Sequence, residues 1–174
     1  LLMEKKDKEI YKGLSDTDAL TGLFNRRAFQ AAVDETLLKR IAGVFIFIDV
    51  DNFKDYNDKY GHANGDLCLK HFAATMKKCF PKDSILGRYG GDEFVVYIKN
   101  AVSDDAHRYM DEFQREISHL MMSGGEHVTV SASAGGVAFI GEGEDFVSLC
   151  RSADNMLYDV KRNGKGTFKM KGAK

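Results

Sequence analysis

Residues 43–49 read GVFIFID, a continuous apolar run that begins at a glycine and ends at a carboxylate. A short apolar run without alternation is typical of a strand that is buried on both of its faces. Such a strand lies near the centre of a sheet. We therefore expect the rest of the fold to be assembled around residues 43–49.

A second strong pattern lies on either side of a glycine pair. The short apolar segments Ile85–Tyr89 and Phe94–Ile98 flank Gly90 and Gly91. Two such segments separated by a few turn residues predict a β-hairpin, here with its tip at the glycines.

The rest of the sequence alternates between helical and extended patterns. Apolar residues at helical spacing predict helices at residues 26–40, 66–80, 103–122 and 146–162, and further strands are predicted at residues 128–139 and 167–170. Asn25 and Asp145 are suitable N-caps for the first and last helices, and Gly164 would end the last one. The alternation predicts an α/β domain with helices on a central sheet, and leaves the strand directions open.

Composition narrows the classes of function. The chain has 174 residues, enough for one well-buried domain, with 25 basic and 26 acidic residues and a formal net charge of -1. This balance argues against a nucleic acid polymer as a partner. No apolar run approaches the roughly 20 residues that span a bilayer, so we expect no membrane contact by this domain. Three cysteines without metal-ligand spacing favour a reducing, cytoplasmic compartment.

Acidic residues follow two of the predicted strands. Asp49 and Asp51 are two positions apart and share a face if the strand continues, while Asp92 and Glu93 follow the glycine pair. If the two strands are neighbours, Asp49 and Asp92 could share one cation, because magnesium is held by one or two carboxylates together with phosphates and waters. The alternative is that these acids only cap helices or form turns.

The polar segment between these acids, residues 52–66, reads NFKDYNDKYGHANGD. Lys54 could meet a phosphate, and Asn57 and Asp66 could face a purine. A carboxylate accepts two hydrogen bonds from guanine, at N1 and the exocyclic amine, and adenine lacks this pair of donors. Composition alone favours the alternative of a solvated loop that leads into a helix. Neither a P-loop nor a strand-linked GxGxxG is present.

Four ordered motifs show a resemblance to the GGDEF domain family. Residues 18–27, DALTGLFNRR, resemble the family's DxLTGLxNRR, and residues 47–54, FIDVDNFK, resemble its DxDxFK segment. Residues 88–94, RYGGDEF, contain the signature intact, and residues 153–161, ADNMLYDVK, match ADxxLYxxK. The resemblance runs from about Asp16 to Phe168, which is nearly the whole chain.

The resemblance implies a mixed α/β (α+β) fold, with a central, mostly antiparallel five-stranded sheet wrapped by helices, as in the palm of nucleotide cyclases and polymerases. Residues 16–174 would form the GGDEF domain. Residues 1–15 are charge-rich with apolar residues at roughly helical spacing, and would be the end of a connector helix from an upstream sensory or receiver domain. The sequence begins with Leu1, so we expect a piece of a longer protein. Its location would be cytoplasmic, alone or as the cytoplasmic part of a membrane-bound receptor.

The resemblance also implies an activity. The domain would be a diguanylate cyclase that condenses two GTP molecules into cyclic di-GMP and pyrophosphate, as a homodimer with two Mg²⁺ or Mn²⁺ ions per active site. The resemblance implies that Asp92 and Glu93 act in catalysis, and that these two residues bind metal together with Asp49 and the Val50 carbonyl. It also implies that Asn57 and Asp66 bind guanine. The phosphates would be bound by Phe53, Lys54, Lys161 and Lys165.

Two departures from the family pattern bear on function. Lys165 stands where the family often has Arg, which keeps the charge but loses the bidentate fork. The inhibitory product site RxxD is replaced by Pro81, Lys82, Asp83 and Ser84, so we expect no product inhibition there. Three alternatives to a diguanylate cyclase stay open: a catalytically weak GTP-binding regulatory module, a cyclase of mixed dinucleotides, and a structural dimerisation domain.

Overall fold

The computed structural model describes residues 15–172, so the expected connector helix lies, except for Ser15, outside the described residues. The described strands are β1 (Gly43–Val50), β2 (Ile85–Arg88), β3 (Glu93–Lys99), β4 (Leu120–Met121), β5 (His127–Val128), β6 (Ala132–Phe139) and β7 (Phe168–Met170). The described helices are α1 (Arg26–Leu38), α2 (Phe53–Tyr60), α3 (His62–Cys79), α4 (Ser103–Ile117) and α5 (Phe146–Arg162).

Five strands form the central sheet, in the order β2-β3-β1-β6-β7. All pairs are antiparallel except β6 with β7. All eight residues of β1 are buried, as the apolar run predicts for a central strand. The mixed α/β fold with a mostly antiparallel five-stranded sheet is therefore confirmed, and so is the hairpin of β2 and β3 around Gly90 and Gly91.

The two faces of β1 pack against different helices. Val44, Ile46 and Ile48 lie in the core cluster that includes residues of α3 and α4, whereas Phe45 and Phe47 lie in the cluster that includes residues of α1 and α5. Because side chains alternate along a strand, Asp49 is on the α1 and α5 face.

Helix α5 packs very closely on β6. A Cβ added at Gly135 would overlap with the backbone of α5 at Ala153 and Leu157, so a glycine is needed for this approach. The close packing brings the last turn of α5 beside the end of β1, where Asp49 lies. Both predicted caps are confirmed: the Asn25 side chain accepts a hydrogen bond from Ala28 N, and that of Asp145 from Ser148 N.

Three predictions for individual segments are wrong. Residues 52–66 do not form a loop: they contain α2 and the start of α3, separated at Gly61, which has φ 84°. The predicted helix at 103–122 ends at Ile117, because the buried Leu120 lies instead in a small hairpin of β4 and β5. That hairpin also shortens the strand predicted at 128–139, which begins at Ala132.

Among residues 15–172, no helix combines the length and the apolar character needed to cross a membrane.

Candidate active site

The carboxylates predicted to share a cation lie on neighbouring strands. Asp49 is directly opposite Glu93 in the register of β1 and β3, so their side chains are on the same face of the sheet. Val50 N donates a hydrogen bond to the Asp92 carbonyl at 3.1 Å, which fixes Asp92 beside the end of β1. We call Asp49, Asp92 and Glu93 the acidic centre.

Asp49 is the most enclosed member of the acidic centre. Only 6% of its surface is exposed. Its Oδ2 accepts a hydrogen bond from Lys161 Nζ, while its Oδ1 is buried without a hydrogen-bond partner among the described residues. Burial raises the pKa of Asp49 to about 6; the hydrogen bond from Lys161 opposes the rise, and the charge of Asp92 adds to it. The site therefore needs more positive charge than Lys161 provides.

The negative charges of the acidic centre also raise the pKa values of Glu93 and Lys161. Burial raises the pKa of Glu93, and repulsion from Asp92 raises it further. For Lys161, burial alone would lower the pKa, but the hydrogen bond to Asp49 and the charges of the acidic centre raise it overall. The acidic centre thus attracts cations.

The residues of the acidic centre fit a divalent cation that arrives with other ligands. Among residues 15–172, no group of three or more His, Cys, Asp or Glu side chains is placed so that it could hold a metal ion by itself. Magnesium does not need one, because waters and substrate phosphates usually complete its coordination. The unpartnered Oδ1 of Asp49, and the ammonium group held at its Oδ2, show that a cation suits this position.

The turn that carries Asp92 and Glu93 is held by Arg88. The Arg88 guanidinium donates to the carbonyls of Gly90 at 3.2 Å and Gly91 at 2.7 Å. It also bonds both carboxylate oxygens of Asp18, each at 3.2 Å, and Asp18 in turn accepts from Thr21 N at 2.9 Å. The Arg88–Asp18 pair therefore connects the segment before α1 to the turn between β2 and β3.

Neither Arg88 nor Asp18 is among the site residues predicted from the sequence. Both belong to the motifs at residues 88–94 and 18–27, but they are 70 positions apart, so no local spacing relates them. The available signal was an arginine two residues before a glycine turn, which can bond the turn's carbonyls.

The predicted guanine-binding residues lie on α2 and α3. Asn57 packs on Gly65, where an added Cβ would overlap with Asn57 Oδ1, so Asn57 lies close to the residue that precedes Asp66. The Oδ1 atom of Asn57 is buried without a hydrogen-bond partner among the described residues, whereas Asp66 is exposed. An unsatisfied amide oxygen beside an exposed carboxylate offers acceptors for a ligand that has several N–H donors.

Three of the predicted phosphate-binding residues, Phe53, Lys54 and Lys165, lie at the start of α2, whereas Lys161 bonds Asp49. Phe53 and Lys54 form the first turn of α2, and Asn52 makes no side-chain cap. The amides of that turn are therefore not used by a cap and are available to an anion. Asn52 Oδ1 instead accepts from Lys165 Nζ at 2.7 Å. We call Lys54, Lys161 and Lys165 the cationic rim.

Asp51 is not part of the acidic centre, because β1 ends at Val50 and the strand face that it would share with Asp49 does not continue. Its carboxylate accepts hydrogen bonds from Ser131 Oγ and Ser133 Oγ, both at 2.6 Å, and from Gly166 N at 3.0 Å. Gly166 follows Lys165 in the loop between α5 and β7. Asp51 therefore holds the loop that carries Lys165.

Comparison with known families matches almost the whole of this region. The family model described as the diguanylate cyclase GGDEF domain matches residues 15–167. A diguanylate cyclase from Vibrio cholerae is 34% identical over 164 residues, which cover 91% of this chain and 50% of that protein. The response regulator PleD of Caulobacter vibrioides is 33% identical over 92% of this chain and 37% of its own length. The chain thus spans half or less of these curated relatives.

Solved structures agree with the sequence comparison. The GGDEF domain of YfiN from Pseudomonas aeruginosa superimposes with a TM-score of 0.83 at 30% identity, covering 88% of this chain and 93% of that one. The GGDEF domain of DgcB from Caulobacter crescentus, solved in complex with c-di-GMP, gives a TM-score of 0.82 at 28% identity, covering 89% and 92%. Because the family model matches residues 15–167, which is most of the chain, this chain belongs to the GGDEF domain family.

Proposed function

We propose that this domain is a diguanylate cyclase, which joins two GTP molecules into cyclic di-GMP and releases pyrophosphate. The observation that carries the proposal is the acidic centre, which lies on adjacent strand ends with the cationic rim close by. This arrangement provides carboxylates for metal and lysines for phosphate around one point, as metal-dependent phosphoryl transfer needs.

Metal binding in this proposal uses the acidic centre. Asp49, Asp92, Glu93 and the Val50 carbonyl would hold two Mg²⁺ or Mn²⁺ ions. When bound, these ions would neutralise the triphosphate and lower the pKa of the attacking 3′-hydroxyl. Glu93 lies beside Asp49 on the same face of the sheet, and its raised pKa suits a group that accepts a proton from that hydroxyl.

Substrate binding uses the two helices that follow β1. Asn57 and Asp66 would read the guanine edge, and the requirement for two donors would exclude adenine and therefore mixed dinucleotides. Lys54, Lys161, Lys165 and the backbone amides around Phe53 would bind the phosphates. The 3′-hydroxyl of one GTP then attacks the α-phosphorus of the other, and pyrophosphate leaves.

The product implies two cooperating copies. Cyclic di-GMP contains two equivalent phosphodiester bonds, and each domain has one set of guanine-reading residues, so two domains must face each other as a homodimer. An upstream sensory or receiver domain would control how the two copies meet. Product inhibition through residues 81–84 is not expected, because Pro81 and Ser84 stand where RxxD has its Arg and its Asp.

A regulatory role is the second candidate. The cyclic di-GMP phosphodiesterase PdeR of Escherichia coli is 32% identical over 168 residues, which cover 95% of this chain but only 25% of PdeR. A region similar to this chain therefore occurs in a protein named for a different activity. In this second candidate, the domain would bind GTP and influence a neighbouring domain without forming product.

Product analysis separates the two candidates. The domain at high concentration, which favours dimers, is incubated with GTP and Mg²⁺ or Mn²⁺, beside the variants Asp92→Asn and Asp83→Asn. A cyclase gives cyclic di-GMP with the parent and with Asp83→Asn, which changes an exposed acid outside the acidic centre. It gives none with Asp92→Asn. GTP binding without product in the parent at every concentration would establish the regulatory role instead.

A further inference from the structure

Lys161 occupies a position that the proposed function does not explain. A lysine that serves only to bind phosphate is expected to extend into solvent, because its ammonium group is strongly hydrated. Here Lys161 Nζ bonds Oδ2 of Asp49, the most deeply buried carboxylate of the acidic centre. The ammonium group therefore contacts an oxygen that a metal ion would also need.

The two partners differ in their freedom to move. The side chain of Asp49 is 8% exposed and lies at the end of a central strand, whereas the side chain of Lys161 is 39% exposed and extends from the last turn of α5. A lysine side chain on a helix end has several rotatable bonds and can leave by rotation alone. Asp49 has no comparable freedom.

We propose that Lys161 is a counter-ion of Asp49 that competes with divalent cations before a nucleotide binds, and that it moves to the triphosphate when the nucleotide does bind. This inference rests on the proposed function, because it assigns the metal to Asp49 and the phosphates to Lys161. An ammonium group and a divalent cation at one carboxylate repel each other, so either one weakens the binding of the other. The triphosphate gives Lys161 a new anionic partner and removes that repulsion.

The consequence is a coupling between metal and nucleotide. If nucleotide draws Lys161 away from Asp49, it strengthens metal binding, and by reciprocity metal strengthens nucleotide binding by the same factor. In the absence of nucleotide, Lys161 would therefore keep the affinity of the acidic centre for divalent cations low.

The test measures Mn²⁺ binding without nucleotide, by the electron paramagnetic resonance signal of free Mn²⁺. Removing the competing charge with Lys161→Met is expected to tighten Mn²⁺ binding about tenfold or more, and Lys161→Arg, which keeps the charge, to leave it as weak as in the parent. The matched control is Lys165→Met, because Lys165 bonds Asn52 rather than Asp49. It removes the same charge nearby and is expected to change the affinity less than about twofold.

Two further measurements complete the test. A non-hydrolysable GTP analogue should strengthen Mn²⁺ binding to the parent far more than to Lys161→Met. Adding Asp49→Asn to Lys161→Met should abolish the gain in Mn²⁺ affinity, and thermal unfolding checks that each variant is folded.

Several outcomes would overturn the proposal. It is wrong if folded Lys161→Met binds Mn²⁺ no more tightly than the parent, or if Lys165→Met shows an equal gain. It is also wrong if the gain survives Asp49→Asn, since the metal would then lie elsewhere. Mn²⁺ binding without nucleotide does not require catalysis. A domain that forms no product but shows the expected gain in Mn²⁺ affinity would therefore disprove the proposed cyclase activity and still support the role of Lys161 as a counter-ion of Asp49.

Discussion

The acidic centre and the cationic rim are neighbours, but they are built in different ways. Asp49 and Glu93 are held by the register of two central strands, and Asp92 by a backbone hydrogen bond to Val50. By contrast, Lys54 and Lys165 are exposed, and Lys165 lies in a loop that is fixed by side-chain hydrogen bonds to Asp51.

This difference matches the chemistry that each region is proposed to perform. Metal ligands must be placed accurately, and strand ends supply that accuracy. Phosphate-binding lysines act as point charges, which tolerate small displacements and must let the product leave. Changes in the acidic centre should therefore reduce turnover, and changes near the rim should mainly weaken substrate binding.

The largest effect is expected for Asp49→Asn. The amide keeps the shape of the side chain but removes the charge that holds metal, so kcat should fall about a thousandfold. Initial rates of cyclic di-GMP formation at saturating GTP measure the change. Asp111→Asn, on the exposed surface of α4, is the matched control and should stay within about twofold of the parent. Equal activity of the two variants would contradict the assignment of the metal to Asp49.

The next effect concerns the support of the acidic centre. Arg88→Ala removes the bonds to the carbonyls of Gly90 and Gly91 and leaves the half-buried Asp18 without its partner. The free energy of unfolding should fall by about 2 kcal/mol. Loss of the geometry of the turn should lower kcat about thirtyfold. Urea unfolding and steady-state kinetics measure the two changes.

An exposed ion pair gives the control for Arg88. Arg108 bonds Asp105 on the surface of α4, with side-chain exposures of 66% and 36%. Arg108→Ala should therefore cost less than about 0.5 kcal/mol, because exposed pairs contribute little. If Arg88→Ala proves as mild as Arg108→Ala, the connection between Asp18 and the turn does not position the acidic centre.

A smaller effect is expected where the loop of the rim is fixed. Asp51→Asn replaces an acceptor of three hydrogen bonds by a group with one acceptor oxygen, which loosens the loop around Gly166. KM for GTP should rise about tenfold with kcat nearly unchanged, since the acidic centre stays in place. Asp145→Asn, which changes the N-cap at the far end of α5, should leave KM as it is. A loss confined to kcat would place Asp51 in the catalytic machinery instead.

Local signals in the sequence predicted the acidic centre better than its surroundings. The apolar run of β1 and the glycine turn of the β2–β3 hairpin are patterns within a few residues, so both elements and their carboxylates could be located. The direction of the strands came only from the family resemblance, because an apolar run reads alike in parallel and antiparallel sheets when both faces are buried.

The missed features depend on distant partners or weak patterns. Asp51 bonds Ser131, 80 residues away, and Arg88 bonds Asp18, 70 residues away. No rule of spacing relates such pairs. Helix α2 has no fully buried residue, and its apolar stripe consists of the partly exposed aromatic residues Phe53, Tyr56 and Tyr60 in an otherwise polar segment. Three such residues are a weak signal of a helix, so composition favours a loop here.

The smallest effect is expected at Lys165, where the chain departs from the family pattern. Lys165→Arg restores a fork that can bond two phosphate oxygens at once, so KM for GTP should fall about threefold. The substitution suits the backbone no worse than lysine does, although φ at this position is 59°. The gain stays small because Arg must also give up the bond that Lys165 makes to Asn52.

Two further variants serve as controls for Lys165→Arg. Lys165→Met should raise KM. Asp51→Asn combined with Lys165→Arg should lose the gain, because a guanidinium group on a loosened loop is no longer held in position to bond the phosphates. If Lys165→Arg and Lys165→Met give the same KM, Lys165 does not contact the triphosphate, and the cationic rim is reduced to Lys54 and Lys161.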